Sequence, residues 1–260
     1  IFFDKEYLYL SFTDYFKEDC INISILRSKV NFTFLEFEKF ITLDECIKYD
    51  SYLNLHSSGG RITNFKDDLI ISIGEFQHRN LSQDNLNYFG KILSVNKTNK
   101  KISLISKGHR NVQGLKYLEN YNIIISTEHG PLGGDEVNIN KLKNKKIKNF
   151  GWPISSYGEK YFKNKFLEGE DYFKSHNLNG FVEPIFAFVP SIGISEIIKI
   201  PNSFSKTWQN NYLIGSLNGK SVYRVKFNDN YSKLIYYEKI FVGDRVRDII
   251  YLEDQKKIIM

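Results

Sequence analysis

The chain has 260 residues, of which 42% are hydrophobic, 15% aromatic and 25% charged, and its formal net charge is +6. This composition is typical of a globular protein with a sizeable core, and it excludes disordered, collagen-like and coiled-coil chains. No apolar run approaches the ~20 residues that a membrane-spanning helix needs. The many Phe and Tyr residues and the single Met favour strands over helices.

A short apolar strand, preceded by a polar turn and followed by a small residue, recurs along the chain. Counted from Leu8, Leu69, Ile123, Tyr212 and Ile258, the intervals are 61, 54, 89 and 46 residues. Repeats of this size, each holding several strands, are typical of propeller blades. At ~45 residues per blade the chain holds roughly five to six blades. The pattern predicts an all-β, six-bladed β-propeller, present here as one incomplete domain over residues 1–260.

Other features of the chain refine this interpretation. Both ends lie in apolar, strand-like sequence, so we expect a fragment or a processed chain. Cys20 and Cys46 are too few for a disulfide framework or a zinc site, and either two buried thiols or one disulfide fits.

The lysine-rich residues 141–148 are interpreted as a solvated hairpin, because no nucleic-acid-binding motif accompanies them. We therefore predict no nucleic-acid partner and no membrane span.

Two loops in the first half of the chain carry polar groups between glycines. Residues 56–61 (HSSGGR) place His56 beside small residues, and an unperturbed imidazole pKa of about 6.5 suits a general base. Residues 108–114 (GHRNVQG) put a guanidinium and two amides within a short turn. Such a turn can hold a polar planar ligand by directed hydrogen bonds.

Two further loops follow. Residues 127–136 (TEHGPLGGDE) form a glycine- and proline-rich turn whose backbone carbonyls are hard oxygen ligands, suited to calcium. Asp135 and Glu136 could be acid–base groups, or they could orient this loop by accepting hydrogen bonds from backbone N–H groups. In residues 245–248 (RVRD), Arg245 and Arg247 face the same side of an extended segment, which suits an anionic ligand.

Taken together and in this order, the motifs resemble those of the pyrroloquinoline-quinone-dependent soluble sugar dehydrogenases, the glucose/sorbosone dehydrogenase family. The resemblance runs from about Tyr7 to the end of the chain. It rests on residues 59–62 (GGRI), 90–93 (GKIL), 108–114, 128–136, 149–153 (NFGWP), 189–192 (VPSI) and 245–248.

The resemblance implies a quinone cofactor and a calcium ion at the mouth of the propeller channel. His56 would be the general base and Arg110 a second catalytic residue, and Arg110 and Asn111 would bind the reactive carbonyl region of the quinone. Gly130 and Pro131 would offer carbonyl oxygens to the calcium ion. Other cofactor contacts are implied for Phe188, Lys220, Arg245 and Arg247.

The implied reaction is oxidation of an aldose at its anomeric carbon to a lactone, with hydride transfer to the quinone. A separate electron acceptor and a periplasmic or secreted location belong to this expectation. In the family pattern the His lies four residues before the Arg, whereas His56 lies five residues before Arg61 and Ser57 stands at the usual place. One inserted residue would preserve the base. The alternative is a catalytically inactive propeller that acts as a binding module. A lactonase-type hydrolase fits the arginine-rich motifs poorly.

Overall fold

The computed structural model describes residues 1–31, 33–49, 55–142, 146–161 and 171–260. These residues form mostly antiparallel β-sheets, and the helical segments among them are short 3-10 turns such as Arg79–Ser82 and Asn177–Asn179. Within the same ranges no helix is long and apolar enough to cross a membrane. The prediction of an all-β protein is therefore confirmed, and the number of blades stays a prediction.

The strands are numbered in chain order. They are β1 (Phe2–Asp4), β2 (Tyr7–Lys17), β3 (Cys20–Lys29), β4 (Glu38–Thr42), β5 (Ile47–Lys48), β6 (Gly59–Phe65), β7 (Asp68–Ile73), β8 (Lys91–Asn96), β9 (Ile102–Lys107), β10 (Val112–Leu118), β11 (Ile123–Glu128), β12 (Asp135–Lys141), β13 (Lys148–Asn149), β14 (Phe186–Phe188), β15 (Ile194–Lys199), β16 (Asn211–Ser216), β17 (Ser221–Phe227), β18 (Leu234–Phe241), β19 (Ile250–Leu252) and β20 (Lys257–Ile259).

Successive strands pair into successive sheets. The sheets contain β1 to β4 with β5 beside β3, β6 to β9 with β13 beside β9, β10 to β12 with β14, and β15 to β18, followed by the β19–β20 hairpin. Each strand of the sequence repeat is the second strand of its sheet: β2, β7, β11, β16 and β20. The repeat thus marks equivalent positions, as its periodicity predicted.

The chain divides into two compact units. Unit 1 comprises Ile1–Val112, Glu119–Tyr121 and Lys143–Pro153. Unit 2 comprises Gln113–Leu118, Asn122–Leu142 and Ile154–Met260. A single propeller domain over residues 1–260 stays a prediction. The centre of the lysine-rich segment, residues 143–145, lies outside the described residues.

Each unit has an apolar core made by the inward faces of its strands. In unit 1 the core includes Tyr9, Ile71 and Leu93, which come from β2, β7 and β8. In unit 2 it includes Ile125 and Ile214 from the second strands of the third and fourth sheets. Burial of these apolar side chains stabilises the sheets, and the polar groups considered below lie mainly in the loops.

A disulfide joins Cys20 and Cys46, whose Cα atoms are 5.5 Å apart. Cys20 opens β3, and Cys46 directly precedes β5, which pairs with β3. Of the two possibilities that the sequence left open, the structure therefore has the bridge rather than two thiols.

Candidate functional site

In unit 1 the two glycine-flanked loops are hydrogen-bonded to each other. The Gly59 N–H donates to Asn111 Oδ1 over 3.1 Å. The segment that follows β7 lies beside the second loop, since the Glu75 N–H donates to the Arg110 carbonyl over 3.1 Å. The loop of the predicted base and the loop of the predicted quinone ligands thus form one hydrogen-bonded assembly. The Asn111 side-chain oxygen accepts this hydrogen bond, and the NH2 group is the donor of the same side chain.

His56 is exposed at the start of this assembly. The next residue, Ser57, adopts φ +56°, and its carbonyl accepts a hydrogen bond from the Phe76 N–H over 3.2 Å. Gly59 has φ +71°, and a Cβ there would lie 2.7 Å from the Gly74 nitrogen. Because the backbone approaches Gly74 this closely, residue 59 must be glycine. The left-handed conformations of Ser57 and Gly59 allow the loop to run alongside the end of β7. That His56 reaches a reacting carbon stays a prediction.

The Arg110 side chain lies over an aromatic ring. Its Cζ is 5.4 Å from the ring centroid of Trp152, and Arg79 Cζ is 5.8 Å from the same centroid. Guanidinium groups are attracted to the face of an indole, and the interaction also limits their motion. Glu75, which belongs to none of the predicted motifs, is fully buried beside these cations. Its only signal in the sequence is an acidic residue shortly after the apolar strand β7.

In unit 2 the glycine-rich loop is pinned by Asp135. This carboxylate is buried and accepts hydrogen bonds from Gly130 N–H, Ser191 Oγ–H, Ile192 N–H and Ile194 N–H, at 3.1, 3.0, 3.0 and 2.9 Å. Burial alone would raise the pKa of Asp135, but neighbouring His129 and these donors outweigh it and hold the pKa below its usual value. Of the two roles left open for Asp135, the structure has it orienting the loop.

The arginine segment of unit 2 lies near the same strands. Arg245 and Arg247 are exposed, whereas Val246 between them is buried. The Val246 carbonyl accepts a hydrogen bond from Ser195 Oγ–H over 2.6 Å, and Ser195 directly follows Ile194, a donor to Asp135. A short path of hydrogen bonds therefore joins the carbonyl loop to the arginine segment within this unit.

The remaining predicted contacts differ in their surroundings. Lys220 is exposed in the β16–β17 turn, and its carbonyl accepts hydrogen bonds from Val242 N–H and Gly243 N–H, close to the arginine segment. Phe188 is only 5% exposed, and its ring packs against Tyr223 and Phe186 at centroid distances of 5.2 and 4.8 Å. A covering role over a cofactor would require Phe188 to leave this aromatic cluster.

A buried pair of acidic residues lies on β11 and β12, the two strands that flank the glycine-rich loop. Glu128 and Glu136 are cross-strand neighbours on β11 and β12, and the Asn138 side-chain amide donates to both, over 2.8 and 3.1 Å. His176 Nε2 is 3.4 Å from Glu136 Oε1. Burial, together with the charge of Glu128, raises the pKa of Glu136 well above its usual value. Both residues belong to the segment 127–136 that the sequence singled out, and Glu136 was named there as a possible acid–base group. Nothing in the sequence indicated that the two pair across β11 and β12.

The side chains and carbonyl groups of these loops limit which ion or cofactor could bind to them. Within the described ranges no group of three or more His, Cys, Asp or Glu side chains is placed to hold a metal ion. Asp135 is engaged by four donors. Backbone carbonyl oxygens such as those of Gly130 and Pro131 are of the type that suits calcium, and their role as ligands stays a prediction. The exposed cations Arg245 and Arg247 suit the carboxylates of a planar anionic cofactor.

Two curated relatives match this chain. An aldose sugar dehydrogenase of Escherichia coli, YliI, is 28% identical over 209 residues, which is 75% of this chain and 54% of the relative. An uncharacterised protein of Synechocystis, slr1608, is 27% identical over 215 residues, 74% of this chain and 50% of the relative. The chain therefore spans about half the length of the curated relatives it matches.

Solved structures share the fold. A glucose dehydrogenase crystal structure superposes with a TM-score of 0.79 at 23% identity, covering 96% of this chain and 73% of that protein. The apo form of the E. coli soluble aldose sugar dehydrogenase gives 0.73 at 24% identity, covering 94% and 72%. The quinone-bound aldose sugar dehydrogenase of Streptomyces coelicolor gives 0.66 at 20% identity, covering 94% and 66%.

The comparison with protein-family models covers the largest part of the chain. The model of the Glucose / Sorbosone dehydrogenase family matches residues 1–259, nearly the entire chain. It covers the loops of both units described above. The chain belongs to the glucose/sorbosone dehydrogenase family.

Proposed function

We propose that the whole protein is a quinoprotein that oxidises an aldose sugar at its anomeric carbon to a lactone. The observation that carries the proposal is the hydrogen bond between Gly59 and Asn111, because it joins the loop of the predicted base to the loop of the predicted quinone ligands. Family membership over residues 1–259 supports the same reaction class. The quinone-bound state of the Streptomyces coelicolor relative supports pyrroloquinoline quinone as the cofactor.

Each residue has a defined task in this proposal. His56 takes the proton of the anomeric hydroxyl as the anomeric C–H leaves as hydride and the C–O bond becomes the lactone carbonyl. Arg110 and the Asn111 amide donate hydrogen bonds to the carbonyl region of the cofactor, and Arg245 and Arg247 pair with its carboxylates. The quinone, when bound, supplies the two-electron acceptor.

Further residues support cofactor binding in the same proposal. The carbonyls of Gly130 and Pro131 would hold a calcium ion, which would supply Lewis-acid chemistry there. Lys220 would add a cation beside the arginine segment, and Phe188 would cover the cofactor after leaving its aromatic cluster. A separate electron acceptor is also part of the proposal.

We place the protein in the periplasm or outside the cell. The Cys20–Cys46 disulfide supports this location, because such bridges form and persist in oxidising compartments.

The test is reconstitution of the full-length protein with pyrroloquinoline quinone and calcium. Cofactor absorbance would report binding, and dye reduction with a panel of aldoses would report turnover. We expect turnover with at least one aldose. A protein that binds the quinone but never reduces it with any sugar would instead be the inactive binding module.

The His56→Ala variant tests the base. Losing a general base typically lowers the rate about 10²–10⁴-fold. We expect that loss in dye reduction, with quinone binding nearly unchanged because other residues hold the cofactor. The matched control is His78→Ala, a histidine of the same unit outside the predicted loops. Wild-type turnover in His56→Ala would show that another residue is the base.

A further inference from the structure

We propose that Glu75 is a positioning residue of the candidate site, whose buried carboxylate holds the guanidinium groups of Arg79 and Arg110 against the indole of Trp152. The inference rests on the proposed function in one respect only, namely that Arg110 is the cofactor-binding residue being positioned. Everything else in it concerns contacts within unit 1.

The burial of Glu75 is the first observation. Its side chain is 0% exposed, and neither carboxylate oxygen accepts a hydrogen bond of ordinary geometry. An ionised carboxylate so deeply buried is strongly destabilising unless cations compensate it. For Glu75 to be ionised at such a position, a cation must lie close to it.

The neighbours supply that compensation. Burial raises the pKa of Glu75, while Arg110 and, more weakly, Arg79 act against this rise. The indole of Trp152 and the hydroxyl of Ser57 act in the same direction as the arginines. Both arginine side chains lie over the Trp152 ring, with Cζ 5.4 and 5.8 Å from its centroid, so one ring is shared by the two cations that act on the pKa of Glu75.

The backbone fixes Glu75 in this position. Its N–H donates to the Arg110 carbonyl over 3.1 Å, so the backbone of Glu75 is tied to the residue whose charge acts on its carboxyl group. The next two residues, Phe76 and Gln77, have φ of +49° and +67°, which costs energy for residues other than glycine. The Gln77 amide donates to Ser57 Oγ over 2.9 Å and ties this strained segment to the loop of His56.

The functional consequence is that Glu75 orients the Arg110 guanidinium; Glu75 itself does not contact the substrate. A guanidinium held by a carboxylate and a ring is oriented before a ligand arrives. Less conformational freedom is then lost when it donates directed hydrogen bonds to a planar carbonyl group. Glu75→Gln removes the charge with little change of shape, so it should release Arg110 without emptying the space.

The experiment measures Arg110 directly in the cofactor-free, full-length protein. Hydrogen exchange of the Arg110 Nε–H is followed by NMR, with Arg110→Lys to assign the resonance. We expect Glu75→Gln to accelerate this exchange at least tenfold and to shift the Trp152 indole resonance, and Glu75→Asp to restore part of the slow exchange. Glu45→Gln, which alters a part-buried carboxylate elsewhere in unit 1, should leave both signals unchanged.

A second readout is the dissociation constant for pyrroloquinoline quinone, which should rise about tenfold in Glu75→Gln and less in Glu75→Asp. Wild-type exchange at Arg110 in folded Glu75→Gln would overturn the inference. If Glu75→Gln does not fold, unchanged exchange in Glu75→Asp would overturn it equally. Failure of the wild-type protein to bind quinone would refute the proposed function alone, because the exchange experiment contains no cofactor.

Discussion

Lys91 is a cation buried in the interior of unit 1. Its side chain has no exposed surface, and Nζ donates to the carbonyls of Leu81, Ser82 and Phe89 at 2.8, 3.2 and 2.6 Å. It thereby ties the turn around Arg79–Ser82 to the start of β8, next to the segment that carries Glu75. Burial, with a smaller contribution from Lys107, lowers the pKa of Lys91 to about 8.

This pKa predicts a pH dependence of stability. Between pH 8 and the unfolded pKa of about 10.4, the unfolded chain binds more protons at Lys91 than the folded protein does, so the free energy of unfolding rises with pH. Below pH 8 both states are protonated and this contribution is constant.

Urea unfolding of wild type and Lys91→Met should reveal it. The difference in unfolding free energy should increase by about 2 kcal/mol from pH 8 to pH 10, at 1.36 kcal/mol per pKa unit. Lys101→Met, which alters an exposed lysine of the same unit, should show no such increase. A difference that stays flat with pH would mean that Lys91 keeps an ordinary pKa.

At the scale of secondary structure elements, the Cys20–Cys46 bridge closes the first sheet. The two cysteines are 26 residues apart, and the bridge encloses β4 and holds β5 against β3. A bridge over a loop of this length restricts the unfolded chain, and the lost conformational entropy raises the free energy of the unfolded state by about 3 kcal/mol.

We therefore expect the Cys20→Ser/Cys46→Ser double variant to lose about 3 kcal/mol of stability. Chemical unfolding with and without a thiol reductant is the measurement. The reductant should lower wild-type stability to that of the variant and leave the variant unchanged. An equal effect of the reductant on both proteins would contradict this role for the bridge.

The loop between β11 and β12 depends on one carboxylate. Asp135→Asn keeps the size of the side chain, but its NH2 group must face one of four donors, so we expect a loss of about 2–4 kcal/mol at neutral pH. Because the pKa of Asp135 is lowered in the folded state, its stabilisation is present above the unfolded pKa of about 3.9 and is lost as pH falls through the folded pKa.

Unfolding of Asp135→Asn at pH 7 and at low pH would check this expectation. The difference from wild type should shrink as the solution is acidified. Asp229→Asn, an exposed aspartate in the β17–β18 turn, is the control and should match wild type at both pH values. A variant as stable as wild type at pH 7 would show that the loop does not depend on Asp135.

At the scale of the whole molecule, cofactor binding should stabilise the full-length protein. A ligand at 100 times its dissociation constant adds about 2.7 kcal/mol to the free energy of unfolding. For a domain of this size that corresponds to a rise in Tm of roughly 5–10 °C. We expect this shift with pyrroloquinoline quinone and calcium, measured by differential scanning calorimetry.

The arginine segment provides the matched comparison. Arg245→Gln/Arg247→Gln should abolish most of the shift at the same quinone concentration, because the cofactor carboxylates lose their cations. Arg224→Gln removes an arginine of the same unit that pairs with Glu238 instead, and it should keep the shift. Equal shifts in the two variants would place the cofactor away from residues 245–247.

The sequence by itself determined that the protein is all-β and which strand recurs from sheet to sheet. Apolar runs such as residues 68–72 and 211–215 follow their own turn signals, and following strands such as residues 221–225 alternate with a period of two. These local preferences agree with the sheets that form. The sequence also predicted that Arg245 and Arg247 face one side of an extended segment, and both are exposed with buried Val246 between them.

Only the tertiary structure decided which groups meet across long separations. The donors of Asp135 include Ile192 and Ile194, 57 and 59 residues away, and no local pattern encodes such a pairing. Burial of Glu75 and Phe188 was equally beyond the sequence, since a residue after or within a short strand faces the core or solvent according to what packs on it. Strand formation is governed by local chemistry, whereas the environment of a buried charge is created by the neighbours that folding brings to it.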